Sequence, residues 1–520
     1  MPNDLQQPTL SRRIGLRSGR SCCYDAAAAR SSTDTECTFN VSSEHLVPVG
    51  NLWFCPFHLP WSTEDLEARF DLRLANDAPT RRNLKDQWSQ DQRNAYHHEL
   101  ENIIANADGN IDLAGVVAAG DFYLKEIVCR HFLNISDSYF PGHLVCHNTR
   151  FLSITCQSAT FEGDCSFRSI FDFDADFSGT MFSGTATFES CHFAGRISFN
   201  HCSFLDKASF VGANFARVST FHNVFFAAES NFYNALFIWP VSFEDSEFRG
   251  SLDFSCVDPS RAEIISARFV RCRFYQDAKF EQRKFLTQLD FGDSQFYSAP
   301  YFFGSTVPFS IAFPPIGNFF DWQDAYRYKT NAILVRSANY YAHYDRLSSR
   351  YRTLRYLMKQ QDAYREEAMF WELEMRSRER SLPMHRPDNW LLLVLSASYR
   401  TAARYGNSIS RPISIWFISS LLFAVIYYSL GSHSVIAWER TRAIRSYDLS
   451  LQQTVRPFAV WSNEGEDFIK QSIPDPTGIP QNSSIMKTFL LQLLATVQSV
   501  ISLTLLVLFG FAVRRRFRML

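Results

Sequence analysis

His97, His98 and Glu99 stand side by side, and such a trio invites a zinc reading. It lacks the second histidine that a helical HExxH motif needs, so no zinc ligand set is expected there. Asp172, Asp174 and Asp176 alternate as calcium ligands do. No glycine or bidentate glutamate follows at loop spacing, and Asp174 and Asp176 fall on outward positions, so the three read as a solvated corner. No phosphate loop, no GxSxG elbow and no dinucleotide fingerprint occurs. The expectation is a protein without catalysis, cofactor or metal. Gln492, Thr496, Ser499 and Ser502 recur at i, i+4, i+7 and i+10, a polar stripe inside an otherwise apolar run. Two chemistries fit it: the lining of a pore in an oligomer, or hydrogen bonding to Ser419, Ser420 or a partner helix. The run holds no TVGYG-like filter and no charge.

The element that dominates the chain is a repeat. Phenylalanine returns at alternating steps of five and six residues over Phe177, Phe182, Phe188, Phe193, Phe199, Phe204, Phe210, Phe215, Phe221, Phe226, Phe232, Phe237, Phe243, Phe248 and Phe254. It resumes from Phe269 to Phe302. Two residues before each anchor sits a small or apolar side chain, such as Ala175, Thr180, Ala186, Cys191 and Ile197. Period two within the unit puts anchor and partner on one face of a strand, whereas steps of five and six would sweep around a helix. A unit that can bury its apolar face only against its neighbours makes a solenoid. The register runs upstream through Leu113, Leu124, Ile135 and Phe151. It slips twice. Phe151 to Phe177 spans 26 residues, one short of regular, and Phe254 to Phe269 spans 15, again one short. Both read as corner deletions, the second containing Pro259.

The stretches ATFEG, ADFSG, ASFVG, ANFAR and SNFYN resemble the pentapeptide-repeat family over residues 111 to 305. The resemblance implies an all-β right-handed quadrilateral β-helix. This chain departs from the family's strict five-residue step, because every second unit has six. An 11-residue double repeat gives about 22 residues per coil and a rod of roughly 40 Å at strand spacing.

The C-terminal part changes the class. Residues 413–430 and 488–513 are free of charge and reach bilayer length. Arg400, Arg404 and Arg411 precede the first, and Arg514, Arg515, Arg516 and Arg518 follow the second. The positive-inside rule therefore puts both termini and the β-helix in the cytoplasm of a bacterial cell, at the inner membrane, with an external loop between the spans. Five segments follow: a disordered tail 1–50, an N-terminal helical cap 51–110, the β-helix 111–310, a helical cap or linker 311–404, and the membrane domain 405–520. The linker holds 15 basic and 10 acidic residues from Asp321 to Arg404, which fits either an anionic-lipid contact or an ordinary solvated helix pair.

Fifty-two basic and 53 acidic residues leave the chain near neutral, so nucleic acid is not an expected partner and the rod is no acidic DNA mimic. Cys129, Cys146, Cys156, Cys165, Cys191, Cys202 and Cys272 fall on inward positions and read as reduced small hydrophobes. The order of rod, helical hairpin and two-helix segment looks like membrane-anchored proteins of the pentapeptide-repeat family, some with a channel-like C-terminus. Two functions are expected from this. One is a membrane-tethered scaffold that offers the rod to a cytoplasmic protein partner. The other is a homo-oligomer through the transmembrane helices, channel-like, with the rod as sensor. Membrane lipid is a partner in both.

Overall fold

The computed structural model describes residues 46–49, 52–65, 84–320, 338–383, 386–431, 440–456, 458 and 481–518. Nearly all of the expected disordered tail lies outside the described residues. The chain divides into two compact units, 1–331 and 332–520.

The first unit is a parallel β-solenoid of about nine coils. Ala175 pairs with Ile197, Ile197 with Ser219 and Ser219 with Val241, each 22 residues further on. That register stacks the anchors ring on ring. Phe182, Phe204, Phe226, Phe248, Phe274 and Phe296 form one column with centroids 4.8–5.0 Å apart. Phe177, Phe199, Phe221, Phe243, Phe269 and Phe291 form a second, at 4.6–5.4 Å. Neighbouring columns meet edge to face, as Phe210 meets Phe221 at 89°. Rings that stack in one direction and abut edgewise in another satisfy the aromatic quadrupole in both. All fifteen anchors from Phe177 to Phe254 are fully buried.

The five-residue step turns on a left-handed residue two places after its phenylalanine: Gly179, Ser190, His201, Gly212, Asn223, Asn234 and Asp245. Polar side chains survive at the inward i−2 position because each finds a carbonyl one coil away. Thr180 Oγ1 donates to the Cys156 carbonyl at 2.7 Å and Ser246 Oγ to the Phe221 carbonyl at 2.7 Å. Cys191 and Cys202 do the same through sulfur, to Phe167 and Phe177. Burial pushes the Cys191 thiol up to about 12, which keeps it protonated.

One slip differs from its reading. Phe243 stacks on Phe269 and Phe248 on Phe274, so this coil has 26 residues, four more than its neighbours rather than one fewer. The added chain forms a 3₁₀ turn, Pro259–Arg261, whose cap Asp258 accepts the Ser260 amide at 2.9 Å. Ile264 takes the missing anchor's place, paired between Phe237 and Phe285. The rod also runs on past Phe302: Phe313 stacks on Phe291 and Phe319 on Phe296. At the other end helix α1, Gln90–Asn106, starts with a capping box between Ser89 and Gln92 and buries Tyr96, Leu100 and Ile104. It covers the first coil, where Tyr96 donates to the Val117 carbonyl at 2.8 Å. A lid of this kind removes an open strand edge.

The second unit is helical. Helices α2, Ala338–Gln360, and α3, Tyr364–Ser381, form a hairpin that turns at left-handed Asp362. Tyr351, Leu354 and Met358 on α2 and Phe370 and Leu373 on α3 are buried, and the Tyr351 and Phe370 rings lie 6.3 Å apart. The buried face of α3 carries Glu372 and Glu374 beside Ala368, Phe370 and Leu373. Glu374 is held by Arg352 at 3.2 Å and Arg355 at 3.0 Å, and Glu372 by Arg376 and Arg404. Helix α4, Pro387–Ala403, exposes Trp390, Leu391, Leu392 and Leu395. Its Arg400 pairs with Glu379 at 3.0 Å. Much of the linker's excess positive charge thus serves buried carboxylates inside the unit.

Candidate membrane-embedded site

Helix α5, Ser410–Gly431, and helix α7, Gln481–Arg518, contain the two stretches long and apolar enough to cross a membrane, Ser410–Leu430 and Phe489–Arg514. Leucine, isoleucine and phenylalanine without interior charge make the outer faces of both helices apolar, and these stay bare: Phe417, Leu421, Val425, Leu493, Val497 and Phe511 are exposed.

The segment expected to be a plain external loop contains a helix. Helix α6, Arg440–Val455, packs against both α5 and α7. Phe423, Tyr427, Leu449, Leu491 and Ala495 close one end of the three-helix contact as an apolar cluster. Beneath it lies a polar network. Gln498, 2% exposed, is its centre. Its Nε2 donates to the Ser450 carbonyl, the Ser450 hydroxyl and the Thr454 hydroxyl, each at 2.8 Å. Its Oε1 accepts from the Tyr427 hydroxyl at 2.7 Å. Ser450 Oγ in turn donates to the Ser420 carbonyl at 2.6 Å. Such a network is stable in an apolar setting only when its members are satisfied.

The four stripe residues divide between this network and their own helix. Ser499 donates to Gln453 Oε1 at 3.2 Å and accepts the Phe458 amide at 3.0 Å. Ser502 donates to the Thr454 carbonyl at 2.6 Å and accepts the Trp416 indole N–H at 2.8 Å. Thr496 donates to the Gln492 carbonyl one turn back, and both side chains are half-buried. Ser419 also bonds within its own helix, to the Trp416 carbonyl. Gln498 and the whole of α6 were missed in the sequence. The signal that could have found them is Ser450, Gln453 and Thr454 on one side of an amphipathic segment, a polar face complementary to the stripe.

The other singled-out residues have local work. Asp172 pairs with Arg150 at 2.7 Å, Asp174 accepts the Arg196 amide, and Asp176 accepts from Ser178 and Gln157. His97 Nε2 accepts the Ala119 amide at 3.1 Å. No cluster of metal-ligating side chains occurs among the described residues. Ion pairs link one coil to the next on the rod surface: Lys207 to Glu229, Arg273 to Glu247, Lys279 to Asp253, and Arg271 to Asp245 at 2.6 Å. These pairs offset only part of the rod's charge, since residues 111–310 hold 22 acidic and 15 basic side chains.

Beside these pairs runs an apolar ladder. Ile238, Ile265 and Leu286 follow the paired core positions Phe237, Ile264 and Phe285 on three successive coils. They are 45%, 40% and 51% exposed, with Trp239 at 45% next to the first.

Residues 177–224 match the family model described as pentapeptide repeats (9 copies). That match and the coil register identify the centre of the rod as a run of pentapeptide repeats. No curated protein and no solved structure matches the chain.

Proposed function

We propose that this pentapeptide-repeat chain is a membrane-tethered scaffold, which holds its rod on the cytoplasmic face of an inner membrane and offers it to a protein partner without catalysis. The ladder of Ile238, Ile265 and Leu286 carries the reading. Exposed apolar side chains in register on a stiff surface suit recognition of another protein's apolar edge. Arg411 and the arginines at 514–516 and 518 support the orientation. Arg400 and Arg404 count for less, since Glu379 and Glu372 neutralise them. The test is capture from detergent extracts with the full chain and with Ile265→Lys and Leu286→Lys. A partner lost from both variants at unchanged thermal midpoint supports the scaffold. A partner retained by both, or no partner at all, overturns it.

The channel-like reading is favoured by one observation, helix α6 packed against both long helices. Reproducible conductance of the reconstituted chain in planar bilayers supports that reading, and silence removes it.

A further inference from the structure

The contacts of α6 fix how deep it sits. Ser450 bonds to the carbonyl of Ser420, the middle residue of the Ser410–Leu430 stretch. At 1.5 Å per residue Ser420 lies about 15 Å from either end of it. One turn later, Thr454 shares Ser502 with Trp416, only six residues from the start of that stretch. Helix α6 therefore runs antiparallel to the first long helix and passes its midpoint. Where the two long helices cross a bilayer, α6 lies inside the hydrocarbon.

Its buried face is fully served there by Gln498, Ser499 and Ser502. Its outer face is not apolar throughout. Asp448 and Gln452, with Arg456 just past the helix end, stand at i, i+4 and i+8, all exposed, and form one polar edge. Beside it run Ile444, Tyr447, Leu451 and Val455, also exposed. Lipid suits the second set and not the first. A carboxylate and a carboxamide at this depth are expensive unless they face water. One chain supplies only one wall for that water, so the other walls must come from further copies.

We infer that α6 is a re-entrant helix and that its Asp448–Gln452–Arg456 edge lines a water-filled vestibule, open to the side on which the first long helix ends and closed by copies of this chain. Its occupants are water and small hydrated ions. The inference deepens the channel-like reading and rests on the two long helices crossing the membrane.

Single cysteines test it cleanly, because the chain has no cysteine after Cys272 and every described cysteine is buried. The full chain carrying Gln452→Cys, Asp448→Cys, Leu421→Cys or Leu493→Cys is reconstituted in vesicles, with the parent chain as blank. A charged, membrane-impermeant methanethiosulfonate reagent is added on either side. The expected result is labelling of the cysteines at 452 and 448 from one side, at least about tenfold faster than at 421 and 493, which face lipid. Copper-phenanthroline oxidation of Gln452→Cys is expected to join two copies. Protection of both 452 and 448 in variants that keep the parent's elution volume overturns the vestibule, and absence of the cross-link overturns its walls of further copies. Labelling of all four positions shows instead that the long helices do not span. Labelling at 452 and 448 without any conductance keeps the vestibule and removes the channel-like reading.

Discussion

Arg283 sits two residues before the anchor Phe285, at the inward position that Cys272 holds before Phe274 and Ser294 before Phe296. It is fully buried. Its guanidinium donates to the carbonyls of Phe254 at 2.7 Å, Ala235 at 2.8 Å and Arg261 at 2.9 Å, and lies over the Phe254 ring. One of these acceptors, the Arg261 carbonyl, belongs to the inserted 3₁₀ turn. Burial lowers its pKa to about 10, which still leaves it charged at neutral pH. Arg283→Met would keep the volume and strand the carbonyls, at a cost of about 2–4 kcal/mol. Arg283→Lys should recover little of it, because an ammonium cannot fork to three acceptors in a plane. Urea unfolding of both variants checks this, and equal midpoints for Met, Lys and the parent would mean that the guanidinium does not hold these carbonyls.

His97 makes a pH prediction at the same scale. Burial first, then the nearby Lys85 charge, lower its pKa from 6.5 to about 4. The unfolded chain therefore binds a proton below about pH 6.5 that the native cap refuses until about pH 4. Stability contributed by the neutral ring is complete above that window and is lost as pH falls through it. Thermal midpoints should drop more steeply between pH 7 and pH 5 in the parent than in His97→Gln, with parallel curves as the contrary outcome.

At the scale of elements, the strand pair in each double repeat alternates in and out with no slack. Met181 is partly exposed and Phe182 is buried, though they are chain neighbours in one two-residue strand. Phe182→Asp would put an unpaired carboxylate between Phe161 and Phe204, whose rings lie 5.3 and 4.8 Å away, and desolvation of that charge should unfold the coil. Met181→Asp leaves its charge in water and should shift stability by no more than about 0.5 kcal/mol. Circular dichroism melts of the two variants decide this, and similar melts would contradict the stacked core. The repeat was legible in sequence because each anchor meets the same surroundings one coil away, so a fixed spacing reports a fixed contact. The insertion at 255–262 was not legible by the same rule. Its 15-residue gap holds one buried anchor, Ile264, and counting steps cannot tell one extended corner from two short ones. Helix α6 escaped for a different reason. Ser450, Gln453 and Thr454 look like solvated loop residues until Gln498 and Ser499, more than forty residues on, supply their partners.

For the whole molecule, the division into units 1–331 and 332–520 separates two kinds of cohesion. The first is held by rings repeating every 22 residues, where each coil supports only its neighbours. In the second, the three helices α5, α6 and α7 share one polar knot, in which a single carboxamide ties them together. Damage should therefore stay where it is made. Gln498→Leu removes the partners of Tyr427, Ser450 and Thr454 at once and should release α6 from the long helices. Hydrogen exchange of the full chain in detergent reads this directly, since opening raises exchange locally. The expected result is faster exchange across 440–455 with the amides of 177–254 unchanged. Arg283→Met should do the reverse, because sites with no shared partners act additively. If Gln498→Leu leaves the exchange of 440–455 as it was, the carboxamide does not hold the third helix in place.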